Sequence, residues 1–261
     1  LLTTLAGQTG DDVRATIRDQ TSGTVATYRP GDKIRDDVEV LGIEDGVVEL
    51  SNAGEVEYLS MSPEPVELSA TDAFYPDLLD DLSLPDDMSE AILLPDGVEY
   101  TIKSRGTAWG TPRAVGLLRD AVRTYARSVT GEPKVHIGDL SLRTGGAFPP
   151  HVSHQGGRDV DIGYVLEGPS ADDRRFLSAH AGNLDVERTW ALVSAVLATD
   201  AVKYVFMDYE VQRLLYEHAV EVEGAAEAER LLQYPRGSRA SHGVIRHWKG
   251  HRNHFHVRFA R

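Results

Sequence analysis

From residue 11 to about 60, apolar and polar side chains alternate in short runs, the period of a half-buried strand. The runs are Val13–Asp19, Thr24–Tyr28, Val38–Ile43, Gly46–Leu50 and Val56–Ser60. Ser22-Gly23, Pro30-Gly31-Asp32, Asp45-Gly46 and Ala53-Gly54 punctuate them with turn chemistry. Together they predict a small all-β domain over residues 1–61. Between Ser62 and Glu90 the alternation fades among Pro63, Pro65, Pro76, Pro85 and a run of aspartates, so 62–90 reads as an acidic linker. Thereafter the period lengthens. Arg113–Ser128 puts Val115, Leu118, Val122 and Tyr125 on one helical face, and Asp185–Ala198 does the same with Val186, Trp190, Val193 and Leu197. Strand-like Lys134–Ile137, Asp159–Tyr164, Val202–Met207 and His254–Phe259 lie between and after them, with a further helical stretch at Tyr209–His218. The order predicts an α+β domain over 91–261, with a mostly antiparallel sheet flanked by helices. No internal repeat is present, and the oligomeric state is left open.

Composition narrows the chemistry. Hydrophobic residues make up 41% of the 261 positions and charged residues 26%, enough apolar material for a packed core. The net charge of −14 repels polyphosphate, which excludes nucleic acid as an expected partner. The chain has no cysteine, so neither a thiolate nucleophile nor a zinc–thiolate knuckle is available and any zinc falls to histidine and carboxylate. No run of about 18 apolar residues is present to span a bilayer. The sequence opens at Leu1 without a charged-then-apolar leader, and a signal or anchor removed ahead of this numbering is expected.

Five of the ten histidines fall in two clusters, His151-x-x-His154 followed by Asp159 and Asp161, and His251-x-x-His254-x-His256. On a strand, His254 and His256 share one face while Phe255 and Val257 point to the core. Gly156 and Gly157 permit a sharp turn after His154 before the strand that carries Asp159 and Asp161. A histidine, an aspartate and a distant histidine match the ligand set of a catalytic zinc site, which leaves a fourth position to water. Asp159 and Asp161 face the same side, so spacing leaves both as carboxylate candidates. His136, His180, His218, His242 and His247 are isolated and read as surface or structural residues.

The segment Gly138-Asp139-Leu140-Ser141, Gly145-Gly146, His151-Val-Ser-His154-Gln-Gly-Gly157-Arg-Asp-Val-Asp161 and His251-x-x-His254-Phe-His256-Val-Arg258 closely resembles the penicillin-insensitive murein endopeptidases. The likeness extends over about 90–261 and includes Trp109-Gly110-Thr111 and Arg213–His218. That family shares a superfamily with lysostaphin-type enzymes, D-Ala-D-Ala carboxypeptidases and the Sonic hedgehog fold. The resemblance implies one zinc ion per chain, held by His154, Asp161 and His256, with His254 catalytic and His251 and His151 lining the site. It implies hydrolysis of D-alanyl to meso-diaminopimelyl cross-links in peptidoglycan, and hence a periplasmic location. Insensitivity to β-lactams follows because no serine nucleophile exists to be acylated.

Related carboxypeptidases carry a Glu three residues before the last zinc histidine, where this chain has Asn253, which favours the endopeptidase branch over a D,D-carboxypeptidase. A zinc-holding peptidoglycan-binding domain without turnover is the reading from another class, and the retained His251 and His254 speak against it. Arg143, Arg158 and Arg258 are open between a substrate carboxylate clamp and structural pairing. The segment Tyr28–Ile34, with Val40–Ile43 and Val47–Leu50, resembles the periplasmic homology region of the type II secretion C component, which implies a cell-envelope protein partner for the β domain.

Overall fold

The computed structural model describes residues 3–5, 14–19, 23–44, 47–52, 55–60, 87–130, 134–148, 151, 153–171 and 176–261. The chain divides into two compact units, Leu1–Glu67 and Leu68–Arg261. The acidic segment expected at 62–90 lies outside the described residues apart from 87–90.

Among its described residues the first unit contains strands only. Strands β1 (Thr3–Leu5), β2 (Arg14–Arg18) and β3 (Val25–Tyr28) form one antiparallel sheet. Strands β4 (Lys33–Arg35), β5 (Val38–Glu44), β6 (Val47–Asn52) and β7 (Glu55–Ser60) form a second, in sequence order. Alternate residues Ala15 and Ile17 of β2 meet Val38, Val40, Ile43, Val48 and Leu50 in one shared core, as a period of two requires.

The second unit is α+β. Strands β8 (Ile92–Leu93) and β10 (Trp109–Gly110) pair as a short ribbon, with β9 (Tyr100–Ile102) between them in sequence. Helix α1 (Pro112–Ser128) starts at Thr111, whose hydroxyl accepts the Ala114 N–H at 3.2 Å, and Pro112 takes the first helical position, where no N–H is needed. Strands β11 (Val135–Ile137) and β12 (Asp159–Gly163) follow. Helix α2 (Val186–Leu197) is capped by the Asp185 carboxylate on the Arg188 N–H at 2.9 Å. Strand β13 (Val202–Met207) leads into α3 (Tyr209–Glu223), capped by Asp208, and Gly224 separates α3 from α4 (Ala225–Leu231). Strands β14 (Ile245–His247) and β15 (His254–Phe259) complete the unit.

Six strands form the main sheet in the order β14-β13-β15-β12-β11-β9. The three central pairings are antiparallel, and the two edge pairings, β13 with β14 and β9 with β11, are parallel. One face of the sheet supplies Val160, Ile162, Val205, Met207, Phe255, Val257 and Phe259 to a core shared with Leu118 and Val122 of α1, Trp190 and Val193 of α2 and Val211 and Leu215 of α3. The opposite face carries Asp159, Asp161, Phe206, His254, His256 and Arg258. The expected elements are present, and Tyr209–His218 extends one turn and more further than read. The short elements β8, β9, β10, β14 and α4 had no periodic signal, because two to seven residues are too few to display one.

Leu118 lies fully buried at the centre of this core. Leu118→Ala is expected to destabilise the second unit by about 2–5 kcal/mol, through lost transfer energy and the cavity left behind. All three tryptophans, Trp109, Trp190 and Trp248, lie in that unit, so denaturant unfolding followed by tryptophan fluorescence reads it selectively.

Candidate active site

The antiparallel register of β12 and β15 sets Asp161 opposite His256, Asp159 opposite Arg258 and Gly163 opposite His254. These side chains occupy the sheet face that the helices do not cover. The loop between β11 and β12 is tied to the same strand: Gly138 N–H donates to the Asp161 carbonyl at 2.8 Å, and Asp161 N–H to the Asp139 carbonyl at 3.0 Å. The loop then returns His151 and His154 above β12. His154 takes a left-handed backbone with φ of 42°, which costs a non-glycine residue about 1 kcal/mol or more and persists where the surroundings impose it. Gly157, at φ of 64°, completes the turn, and a Cβ there would stand 2.9 Å from the Cα of Gly110.

Three imidazoles converge on one carboxylate oxygen. His154 Nε2 lies 3.1 Å from Asp161 Oδ1, His256 Nδ1 3.2 Å and His254 Nε2 3.5 Å. His154 Nε2 and His256 Nδ1 are themselves 3.1 Å apart. The outer nitrogens decide what the inner ones carry. His154 Nδ1 donates to the Leu140 carbonyl at 2.8 Å, His256 Nε2 to Asp159 Oδ1 at 2.9 Å and His254 Nδ1 to Asn253 Oδ1 at 2.6 Å. Each ring, when neutral, therefore turns a lone pair inward, onto a carboxylate that also only accepts. Lone pairs at this spacing repel one another unless a cation sits among them. A four-coordinate metal with bonds of about 2.0 Å spaces its ligand atoms about 3.3 Å apart, so His154 Nε2, Asp161 Oδ1 and His256 Nδ1 fit such an ion. The ligand atoms of His151, His154 and Asp161 also lie within 4.8 Å of one another, which puts His151 at the margin of the same site.

In the metal-free chain a proton takes the cation's part at His154: burial opposes a charge there, but Asp161 beside it outweighs burial and raises its pKa above the ordinary value, so Nε2 donates to Asp161. Burial likewise works against the Asp161 carboxylate, yet His154 and His254 hold its pKa well down. His254 is different: burial lowers its pKa to about 4 against the partial compensation of Asp161, so it is a neutral acceptor at pH 7. Burial, with His254 and His256 nearby, also drives the His251 pKa well down. Tyr164 holds the His251 carbonyl through its hydroxyl at 2.8 Å, and the ring centroid of His251 is 4.7 Å from that of His254. Phe176 stacks on His254 at 5.5 Å between centroids; Gly138 makes room for it, since a Cβ there would come within 2.8 Å of the Phe176 ring.

All six residues singled out from the sequence, His151, His154, Asp161, His251, His254 and His256, are brought into this one cluster. Asp159, an open alternative to Asp161, faces the outer nitrogen of His256 instead and accepts two hydrogen bonds from Arg258 Nη1, at 2.8 and 2.7 Å. Arg258 is thereby a structural partner, and so is Arg158, whose Nη1 donates to the Phe259 carbonyl at 3.1 Å. Arg143 lies over the Trp109 ring at 5.3 Å. Asp139 received no role from the sequence. Its carboxylate stands 3.4 Å from His151 Nε2 and accepts the Thr107 hydroxyl at 2.5 Å; burial opposes its charge, but His151, Lys103 and Thr107 bring its pKa down to about 2. It lies in the Gly138–Ser141 stretch of the family likeness, but an isolated aspartate 12 residues ahead of His151 carries no spacing signal.

The model of the penicillin-insensitive murein endopeptidase family matches residues 91–260. The chain belongs to that family. It is similar to the penicillin-insensitive murein endopeptidase of Haemophilus influenzae, with 30% identity over 177 residues, covering 64% of this chain and 57% of that protein. The protein of the same name from Yersinia enterocolitica is 30% identical over 128 residues, or 48% of this chain and 44% of the relative. The chain thus spans about half the length of the curated relatives it matches. The family match begins just before β8 and covers the whole cluster of histidines.

In the metal-free chain, the shifts predict distinct titrations. His254 stays neutral down to about pH 4, whereas His154 holds its proton above the ordinary histidine range. Between about pH 6.5 and 4 the unfolded chain takes up a proton at His254 that the folded chain refuses, so metal-free stability falls as the pH falls through that window. The His154 contribution has the opposite sign: present in acid, it is lost as the pH rises through its raised pKa. Imidazole resonances followed by NMR against pH read both groups, and a His254 midpoint near 6.5 would contradict the assignment.

Proposed function

We propose that the second unit is a zinc peptidase domain spanning about 91–261, which hydrolyses D-alanyl to meso-diaminopimelyl cross-links in peptidoglycan. The observation that carries this reading is the convergence of the inward nitrogens of His154 and His256 on Asp161 Oδ1, at 3.1–3.2 Å. Family membership and the names of the relatives support the substrate class. In a chain without cysteine, two imidazoles and a carboxylate are a fitting set for zinc. Bound there, zinc would polarise the scissile carbonyl and bring the pKa of a water down toward about 7.

The protein's own residues do the rest. His154, Asp161 and His256 would hold the ion. His254 carries an acceptor nitrogen 3.5 Å from Asp161 Oδ1, beside the reacting position, and is neutral at pH 7, so it takes the proton from the attacking water and returns it to the leaving amine. Asn253 fixes which of its nitrogens does so, through the 2.6 Å bond to Nδ1. His251 and His151 line the site, beside His254 and Asp161 respectively. Because Asn253 is committed to orienting His254 and no Glu stands in its place, the endopeptidase reading is preferred to a D,D-carboxypeptidase.

This substrate places the protein in the periplasm, and among the described residues no helix is long and apolar enough to cross a membrane. We assign the first unit, about residues 1–61, a binding or spacing role toward a cell-envelope protein. A pull-down with that segment tests it: retention of an envelope protein supports docking, and none supports a spacer.

The enzymatic reading is checked by incubating the purified chain with crosslinked dimer and uncrosslinked monomer muropeptides, with and without chelator, and following products by mass spectrometry. Cleavage of the dimer only, abolished by chelator, is expected; terminal D-alanine released from the monomer would favour the carboxypeptidase, and no product in either tube a binding domain. His154→Ala and His256→Ala are expected to lose the metal, since each removes one of three protein ligands. His254→Ala should retain it while turnover falls about 10²–10⁴-fold. Normal turnover in His254→Ala would overturn the role given to it.

A further inference from the structure

The two ligand histidines are supported unequally. The outer N–H of His154 goes to a neutral backbone carbonyl, Leu140, whereas that of His256 goes to the buried carboxylate of Asp159. Asp159 is in turn gripped by Arg258, through bonds from one guanidinium nitrogen to both carboxylate oxygens. The arrangement follows from the register. On one face of the β12–β15 pair, Asp161 stands opposite His256 and Asp159 opposite Arg258, so the ligand pair and the charged pair are adjacent rungs of one ladder. All four side chains are buried.

Burying a carboxylate and a guanidinium is costly, and an apolar pair at the same two positions would often be as stable or more so. The pair therefore calls for a reason other than stability, and the 2.9 Å bond to His256 supplies one. A carboxylate accepts and never donates while ionised, so it admits only the His256 tautomer with the proton on Nε2 and the lone pair on Nδ1, and it raises the donor strength of that lone pair. The guanidinium keeps Asp159 ionised and fixes its plane. Without Asp159, His256 is free to place its proton on Nδ1, where it would point at Asp161 and block the site.

From this geometry we infer that Asp159, held by Arg258, is a positioning residue that selects the binding tautomer of His256 and sets the affinity of the metal site. The relay rests on the metal-site reading proposed above. It is distinct from any role in proton transfer to substrate, because neither Asp159 nor Arg258 opens onto the site.

Two measurements test it. In the metal-free parent chain, long-range ¹H–¹⁵N spectra are expected to show His256 with its proton on Nε2; a neutral His256 with its proton on Nδ1 would overturn the relay, and this outcome needs no variant to fold. In the second, Zn²⁺ affinity is measured by competition with a chromophoric chelator for the parent, for Asp159→Asn/Arg258→Gln and for His154→Ala. The double substitution removes both charges together, leaving no unpaired buried ion, and its melting without metal is compared with the parent as a control for folding. A fall in Zn²⁺ affinity of about 10–100-fold is expected, the range for loss of a carboxylate behind a ligand histidine. Parental affinity in the double variant, with binding lost in His154→Ala, overturns the relay alone. Parental affinity in both variants overturns the metal site itself.

Discussion

The second unit is organised around a contact that neutral imidazoles would find unfavourable: their inward nitrogens are held within 3.1–3.5 Å of a carboxylate oxygen, with every outer imidazole nitrogen already committed elsewhere. Left to themselves these groups would turn apart or take up protons. They are kept together by a backbone that has little freedom to yield. His256 and Asp161 are cross-strand partners in the middle of a six-stranded sheet, and His154 is forced into a left-handed conformation by a loop pinned to the same strand. A cluster held this way is ordered before any ligand arrives; the ordering cost has been met during folding.

The core explains why the sheet can hold that geometry. Phe255 and Val257 alternate with His254, His256 and Arg258, so the strand that presents the site is locked on its other face into the packing of α1, α2 and α3. A one-residue slip of β15 would bury the imidazoles in the core and expose Phe255, Val257 and Phe259, and that penalty pins the register on which the spacing of the histidine cluster depends. Stability of the core and precision of the site are the same constraint viewed from two faces of one strand.

Much of this was legible in the residues. The period of two at His254–Phe259 identified both the face and its occupants, and the histidine clusters, with their likeness to a known family, brought together the six residues that do meet in space. The choice between Asp159 and Asp161 was not legible from spacing, because both face one way and only the register against β15 tells which lies opposite His256 and which opposite Arg258. That register joins positions almost one hundred residues apart, and no local pattern encodes it. Asp139 was missed for a similar reason: its meeting with His151 depends on how the loop folds back, and a single aspartate has no periodicity. The edge strand β14 and helix α4 are too short to announce themselves, although they complete the sheet and its packing.

The central claim is that two imidazoles and one carboxylate bind a single ion with a position left for substrate. X-ray absorption at the zinc edge of the purified chain tests it most directly. The account predicts one zinc per chain with about four nitrogen and oxygen neighbours at about 2.0–2.2 Å, and the outer scattering of two imidazoles. A protein that binds no zinc stoichiometrically, or a zinc shell without imidazole scattering, would contradict it.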